Sequence, residues 1–189
     1  DKLGNFVAID VETTGLSAAS AEIIEIAAIR FVDYQPEEKF VTFTLPRKSI
    51  PSEITAVNGI TDDMVKSAPP FSCIVESLQD FIGKSNIVGH NLQFDLKFIV
   101  KGGFELSRCQ RKYYDTLLIA QKTLKKPRQK WDREFEYYDI DYDSDYDVDD
   151  YKLPTLCAYY SIPYFGQHRA LTDCFVTGLL LKKLEADRR

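Results

Sequence analysis

Phe6-Val7-Ala8-Ile9-Asp10-Val11-Glu12-Thr13-Thr14-Gly15 is the stretch on which the fold turns. Phe6 to Ile9 is a continuous apolar run, which reads as a strand buried on both faces because it has no solvent side. Side chains alternate along a strand, so Asp10 and Glu12 share a face and stand about 7 Å apart at roughly 3.3 Å per residue. Two like charges at the end of a buried strand raise each other's pKa and cost stability. A divalent cation removes that penalty, and hard cations such as Mg²⁺ and Mn²⁺ take carboxylate oxygens.

Outward from this strand the pattern stays readable. Gly15 to Ala21 is a turn. Ile23 to Val32 reads as a second strand, with Ile24, Ile26 and Ala28 on one face and Ile23, Glu25, Ala27 and Ile29 on the other. Phe40 to Leu45 alternates as a third. Short links between the three predict an antiparallel meander. Pro46 and Pro51 break the pattern. Ser52 is the expected cap of a short helix over Glu53–Val57, which Asn58-Gly59 ends. Pro69-Pro70 marks the next boundary, and Phe71–Ile82 has helical spacing. Asn86–Val88 reads as a short strand running into Gly89-His90-Asn91, with Asn91 the expected N-cap of a helix over Phe94–Val100. Further helices are predicted over Leu117–Leu124, Leu153–Tyr160 and Ala170–Leu184. Strands first, then strands mixed with helices, predict an α/β fold with a mixed sheet.

The 189 residues, 44% hydrophobic and 28% charged, suit one domain, 1–189, with an ordinary core. No apolar run approaches a membrane span and no signal-peptide pattern opens the chain. It begins at Asp1 rather than Met, as a trimmed or excised domain would. Cys73, Cys109, Cys157 and Cys174 lie far apart with no CxxC pair, which speaks against zinc or a disulfide framework and fits a reducing cytoplasm. The net charge of -5 argues at first against a nucleic-acid partner. Asp132–Asp150, however, holds ten Asp/Glu against one Arg, a net of -9, so the rest of the chain carries +4 and such a partner stays open. The region at about 127–151 reads as an acidic insertion, either an exposed strand ribbon or loosely ordered chain. Asp139-x-Asp141-x-Asp143 echoes the opening of a calcium loop, although Ser144 stands where that loop needs Gly. A sharper reading is that the segment repels or mimics nucleic acid and so gates substrates.

Two more segments gather chemistry. His90-Asn91-Leu92-Gln93-Phe94-Asp95 places Asp95 in the first turn of a helix just past a strand end. His168-Arg169-Ala170-Leu171-Thr172-Asp173 puts Asp173 early in the final helix, with His168 on the loop before it. Strand ends and helix starts on one rim of a sheet are where open α/β folds bind ligands. Each residue also has a plainer reading. Asp10 and Glu12 suit a solvated strand end, Asp95 and Asp173 suit a helix N-terminus electrostatically, and Phe94 and Leu16 suit a core.

Taken together and in order, Asp10-Val11-Glu12-Thr13-Thr14-Gly15, His90 to Asp95, and His168 with Asp173 four residues between resemble the three motifs of the DEDDh 3′→5′ exonucleases. This DnaQ-like superfamily includes the proofreading subunit of bacterial DNA polymerase III. The resemblance implies a ribonuclease H-like mixed five-stranded sheet flanked by helices. It also implies two-metal hydrolysis, with Mg²⁺ or Mn²⁺, of the phosphodiester at a 3′ end. On that reading Asp10 bridges two ions, Glu12 and Asp173 complete the tighter site, Asp95 holds the second ion through water, and His168 is the general base. Thr13, Thr14, Gly15 and Leu16 resemble the segment that holds the terminal nucleotide. Asn91 and Phe94 resemble the contacts of the second motif. Ala56-Val57-Asn58-Gly59-Ile60-Thr61 resembles a pocket segment in which members often have His at the place of Asn58. The implied partner is a single-stranded or frayed 3′ end of DNA or RNA, with the domain tethered to or associated with a polymerase or helicase and no membrane. The rival readings are an exoribonuclease of the same family and a catalytically silent nucleic-acid-binding module.

Overall fold

β1 (Phe6–Thr13) runs through the middle of the molecule. It pairs antiparallel with β2 (Ile23–Val32) on one side and parallel with β4 (Ile87–Gly89) on the other. β3 (Gln35–Phe43) extends the sheet beyond β2, and β5 (Tyr113–Asp115) closes it beside β4. The result, in a computed structural model that describes residues 4–188, is a mixed five-stranded sheet of order β3-β2-β1-β4-β5. This is the predicted fold class, and the first three strands form the predicted meander. No helix among the described residues is long and apolar enough to cross a membrane.

Both faces of the sheet are covered, as the unbroken apolar run of β1 requires. On one face Phe6, Ala8, Ala27, Ile29 and Phe31 pack against the final helix α7 (Ala170–Asp187) through Leu180, Leu181 and Leu184. A Cβ on Gly178 would lie 2.2 Å from the Phe31 ring, so only glycine lets α7 approach the sheet this closely. Two shorter helices, α5 (Thr116–Thr123) and α6 (Leu153–Tyr159), complete that layer. On the opposite face Val7, Ile9 and Val11 meet α3 (Phe71–Ile82) and α4 (Leu92–Lys101) through Leu78, Ile82, Phe98 and Ile99. Short α1 (Ser52–Asn58) and α2 (Asp62–Val65) lie in the β3–α3 connection, and Ile60 and Val65 seal it against Ile24.

Two local expectations are corrected and a third is qualified. β3 begins at Gln35, not Phe40, and ends at Phe43: it is an edge strand whose Gln35–Lys39 half is polar and exposed, so it lacks the alternation that marks a half-buried strand. Asp33 and Tyr34, at φ 47° and 63°, supply the two left-handed residues of a tight hairpin turn ahead of it. Ser52 does not cap α1; Pro51 holds that position and Ser52 is already helical. Asn91 does hold the N-cap position of α4, in the left-handed region at φ 59°, but its side chain makes no capping bond. The Asp115 carboxylate reaches across from β5 instead and accepts from the backbone N–H of Asn91 and Leu92, at 2.9 and 3.0 Å.

The segment around 127–151 contains a hairpin, β6 (Arg128–Asp132) and β7 (Tyr137–Asp141). Register sets Arg128 opposite Asp141 and Lys130 opposite Asp139, and Trp131 meets Tyr138 edge-on at 4.9 Å. This is the ribbon alternative. Asp139 and Asp141 therefore sit on a strand facing cations, not in the opening of a calcium loop. The segment returns to the body through buried Val148 and through Asp147, which accepts from the Lys125 N–H at 2.8 Å.

Candidate active site

The register of β1 sends Phe6 and Ala8, and with them Asp10 and Glu12, toward α7. Asp173, in the first turn of α7, meets them there: one oxygen from each of Asp10, Glu12 and Asp173 lies within 4.8 Å of the others. Asp95 enters from α4, fully buried, with its Oδ1 accepting from the Val11 N–H at 2.9 Å. It stands close enough that its charge acts on Asp10, but it falls outside the tight group of three.

Four carboxylates gathered away from water resist ionising together. Burial first, then the charges of Asp95, Asp173, Glu12 and Glu25, holds Asp10 well above the usual carboxylate range. Burial, then Asp173, pushes Glu12 up to about 8. Burial does the same to Asp95, also to about 8, against the pull of the Val11 N–H. Asp173 is raised by burial as well, opposed by a hydrogen bond from the Tyr164 hydroxyl and by the charge and backbone of His168. Asp10 Oδ2 is buried with no hydrogen-bond partner. Such an orphaned oxygen costs free energy that a cation would recover. An all-oxygen donor set with three convergent carboxylates fits a hard divalent ion, so the residues present suit the group that the sequence implies.

The other predicted residues distribute as follows. Thr13 is buried and its hydroxyl donates to Gly15 O at 2.6 Å, folding the turn that follows β1. The Thr14 N–H donates to Glu22 O and its hydroxyl accepts from the Glu22 N–H, so this turn is fixed before any ligand arrives. Leu16 stands 88% exposed at its tip, an arrangement a core residue does not adopt. Val57 is exposed at the end of α1. Asn58 is buried: its Oδ1 accepts from Ile60 N–H at 2.9 Å and its Nδ2 reaches Glu12 Oε2 at 3.5 Å, so it contacts a carboxylate of the cluster. Phe94 is half-buried against Phe98, and Asn91 is exposed. His168 is exposed on the loop before α7 at φ 60°.

His90 has a structural place. Its Nε2–H donates to Tyr151 O at 3.0 Å, since a carbonyl can only accept, and its Nδ1 then accepts from the Thr116 hydroxyl at 2.8 Å. Burial lowers its pKa, which keeps the ring neutral. It ties the segment after β7 to the end of β4.

Three residues escaped the sequence reading. Tyr164 holds Asp173; Asp115 caps both α4 and α5, taking the Leu117 N–H at 2.9 Å as well; Glu25 binds the start of α7. The Glu25 partners and the α4 partners of Asp115 lie far off in the chain and the Tyr164 bond depends on loop shape; only the cap that Asp115 gives α5, two residues on, has a local signature.

Residues 7–181 match the family model described as Exonuclease (RNase_T). The chain is 32% identical over 181 residues to the DNA polymerase III PolC-type of Oceanobacillus iheyensis, across 95% of this chain but 11% of that protein. It therefore spans about a tenth of the length of that relative. Among solved structures, exonuclease X in complex with 5′ overhanging duplex DNA superposes with a TM-score of 0.68 at 22% identity, over 96% of this chain and 91% of the other. An exonuclease I superposes with a TM-score of 0.75 at 16% identity, over 98% of this chain and 41% of the other. These two likenesses establish a shared ribonuclease H-like fold.

Proposed function

The chain belongs to the exonuclease family, and from that premise we propose that it removes nucleotides one at a time from the 3′ end of single-stranded or frayed DNA. On this reading it is a DEDDh member of that family, a single domain carrying an acidic insertion at about 127–151. The observation that carries the proposal is the convergence of Asp10, Glu12 and Asp173 within 4.8 Å around an unpartnered buried Asp10 oxygen. A silent binding module has no use for so costly a group of charges. DNA is favoured over RNA because the PolC-type relative is a DNA polymerase. A tether to a polymerase belongs to the same proposal, since the chain matches one segment of that much longer protein.

Asp10, Glu12 and Asp173 would hold one divalent ion and Asp95, through water, a second, and bound Mg²⁺ or Mn²⁺ would ease ionisation of the attacking water and neutralise charge on the leaving oxygen. The chain supplies the remainder. Asn58 fixes the Glu12 carboxylate and Tyr164 fixes that of Asp173, so both are oriented before substrate binds. His168, exposed beside Asp173, takes the proton of the attacking water; imidazole suits that exchange near neutral pH. The pre-folded Thr13–Gly15 turn presents backbone groups to the terminal nucleotide. Leu16 and Val57 offer apolar contact to its base, and Asn91 and Phe94 border the scissile end.

The test is degradation of 5′-labelled single-stranded DNA and RNA of equal sequence with Mn²⁺, Mg²⁺ or EDTA, alongside Asp10→Ala. A metal-dependent ladder shortening from the 3′ end, absent in the variant and faster on DNA, is the expected result. Faster loss of RNA would make the enzyme an exoribonuclease. No cleavage of either would overturn the reading.

A further inference from the structure

Glu25 carries none of the roles assigned so far, yet it is a buried charge that accepts three hydrogen bonds beside the acidic cluster. It is 2% exposed and lies directly opposite Glu12 in the β1–β2 register, on the face that meets α7. Its carboxylate accepts three hydrogen bonds from residues 144 and 145 positions away: Arg169 Nε at 3.1 Å, Arg169 Nη2 at 2.7 Å and the Ala170 N–H at 2.8 Å. The last is the first backbone donor of α7, which no side chain at its own N-cap satisfies. Arg169 is held from a second direction, with its guanidinium 5.4 Å from the centre of the Phe43 ring on β3.

We propose that Glu25 and Arg169 form the positioning device of the site, setting His168 and Asp173 at the head of α7 against Asp10 and Glu12 on β1. The proposal rests on the metal-nuclease reading above. Its mechanics are short. His168 precedes Arg169 directly, so the clamp fixes where its loop ends. The Asp173 N–H donates to Arg169 O at 3.0 Å, so the same residue anchors the turn that carries the Asp173 carboxylate. A displacement of Arg169 moves both groups together relative to β1.

Adhesion alone does not account for this pair. Apolar side chains join a sheet to a helix without burying charge, whereas here the Glu25 carboxylate is buried and the Arg169 side chain remains 40% exposed, so the carboxylate carries the desolvation cost. Glu25 also adds a negative charge beside a cluster already crowded with them, and it raises both Asp10 and Glu12. What the carboxylate and guanidinium supply is direction. Two parallel bonds from a planar fork fix angle as well as distance, which neither a Lys nor an apolar contact can do. Precision of that kind matters where a misplacement of about 1 Å costs on the order of 10²-fold in rate.

The experiment compares wild type, Glu25→Gln, Arg169→Ala and the double variant. Each is assayed for thermal stability, for Mn²⁺ affinity by electron paramagnetic resonance without substrate, and for kcat and KM on a 5′-labelled dT oligomer well below its Tm. Glu25→Gln keeps shape and one acceptor, so a folded variant is available if Arg169→Ala unfolds; Arg169→Lys serves as a second. Each single variant should lose about 10²-fold in kcat with KM within a few-fold and Mn²⁺ binding weakened. The double should be no slower than the slower single, because both members serve one contact. Folded single variants with kcat within a few-fold of wild type, or losses that multiply in the double, would overturn the proposal. A wild type that neither binds Mn²⁺ nor cleaves would overturn the nuclease reading itself, and this proposal with it. That outcome is distinct because it appears before any substitution.

Discussion

The Tyr164 hydroxyl donates a hydrogen bond to Asp173 Oδ1, holding a buried carboxylate from a loop nine residues upstream. This bond opposes the upward pull of burial on Asp173. Removing it leaves the carboxylate harder to ionise, and only the ionised form ligates a cation. Tyr164→Phe should therefore move the acid limb of Mn²⁺-dependent cleavage to higher pH. Superimposable pH–rate profiles would show that Tyr164 has no such influence.

His168→Ala should lower kcat by about 10²–10⁴, the usual worth of a general base, without lowering Tm. His168 is exposed, so its loss leaves no cavity. Single-turnover rates at saturating Mn²⁺ provide the comparison, and a rate within a few-fold of wild type removes His168 from the role.

Stability should respond to pH in a direction set by the cluster. Glu12 and Asp95 ionise near 8 when folded, against 4.5 and 3.8 ordinarily. Between those values the folded state holds more protons than the unfolded one, so the stability these groups contribute at low pH is lost as pH rises from about 4 through about 8. Melting in EDTA should show Tm falling across that window, and Mn²⁺ should restore it at the alkaline end. Asp10→Asn removes one of the crowded charges and should raise Tm in EDTA at the alkaline end by about 2–4 °C for each kcal/mol relieved. It should also abolish the response to Mn²⁺. A flat Tm in EDTA would contradict the raised pKa values.

Asp115 caps two helices with one carboxylate. Asp115→Ala strips the accepted bonds from Asn91, Leu92 and Leu117 at once. A loss of about 2 kcal/mol is expected, at ~1 kcal/mol for each cap. Asp115→Asn, which keeps one oxygen, should lose less. Urea denaturation at constant m-value measures both.

The acidic segment 132–150 is proposed to repel nucleic acid, on the strength of its net -9 beside a body of +4. Neutralising Glu134, Glu136, Asp139 and Asp143 to their amides should tighten binding of single-stranded DNA at low salt, with the gain shrinking as salt rises. The substitutions spare Asp147 and Val148, which attach the segment to the body. Unchanged affinity at low salt would falsify the idea.

The features legible in the sequence were those with local signatures. The apolar run Phe6–Ile9 announced a central strand, and the three motif segments announced carboxylates that converge because each stands at a strand end or helix start. Asn91 stands at the N-cap its type and position suit, yet the accepting carboxylate comes from Asp115, 24 residues on, which no local pattern marks. β5 went unread from its residues because three of them, partly exposed, offer no period. Glu25 looked like one polar interruption in an apolar strand, and only the tertiary fold brings Arg169 to it. Local chemistry is written in neighbouring letters; bonds that span the chain are not.

The candidate site draws its acids from β1, α4 and α7, so Asp10 and Asp173 are separated by nearly the full described chain. No fragment that lacks either β1 or the start of α7 contains it. During synthesis the chain would pass through a long interval in which sheet and early helices exist but the last acid has not yet emerged. The candidate centre would then come into being only as α7 docks, and a fragment that stops short of α7 would lack Asp173.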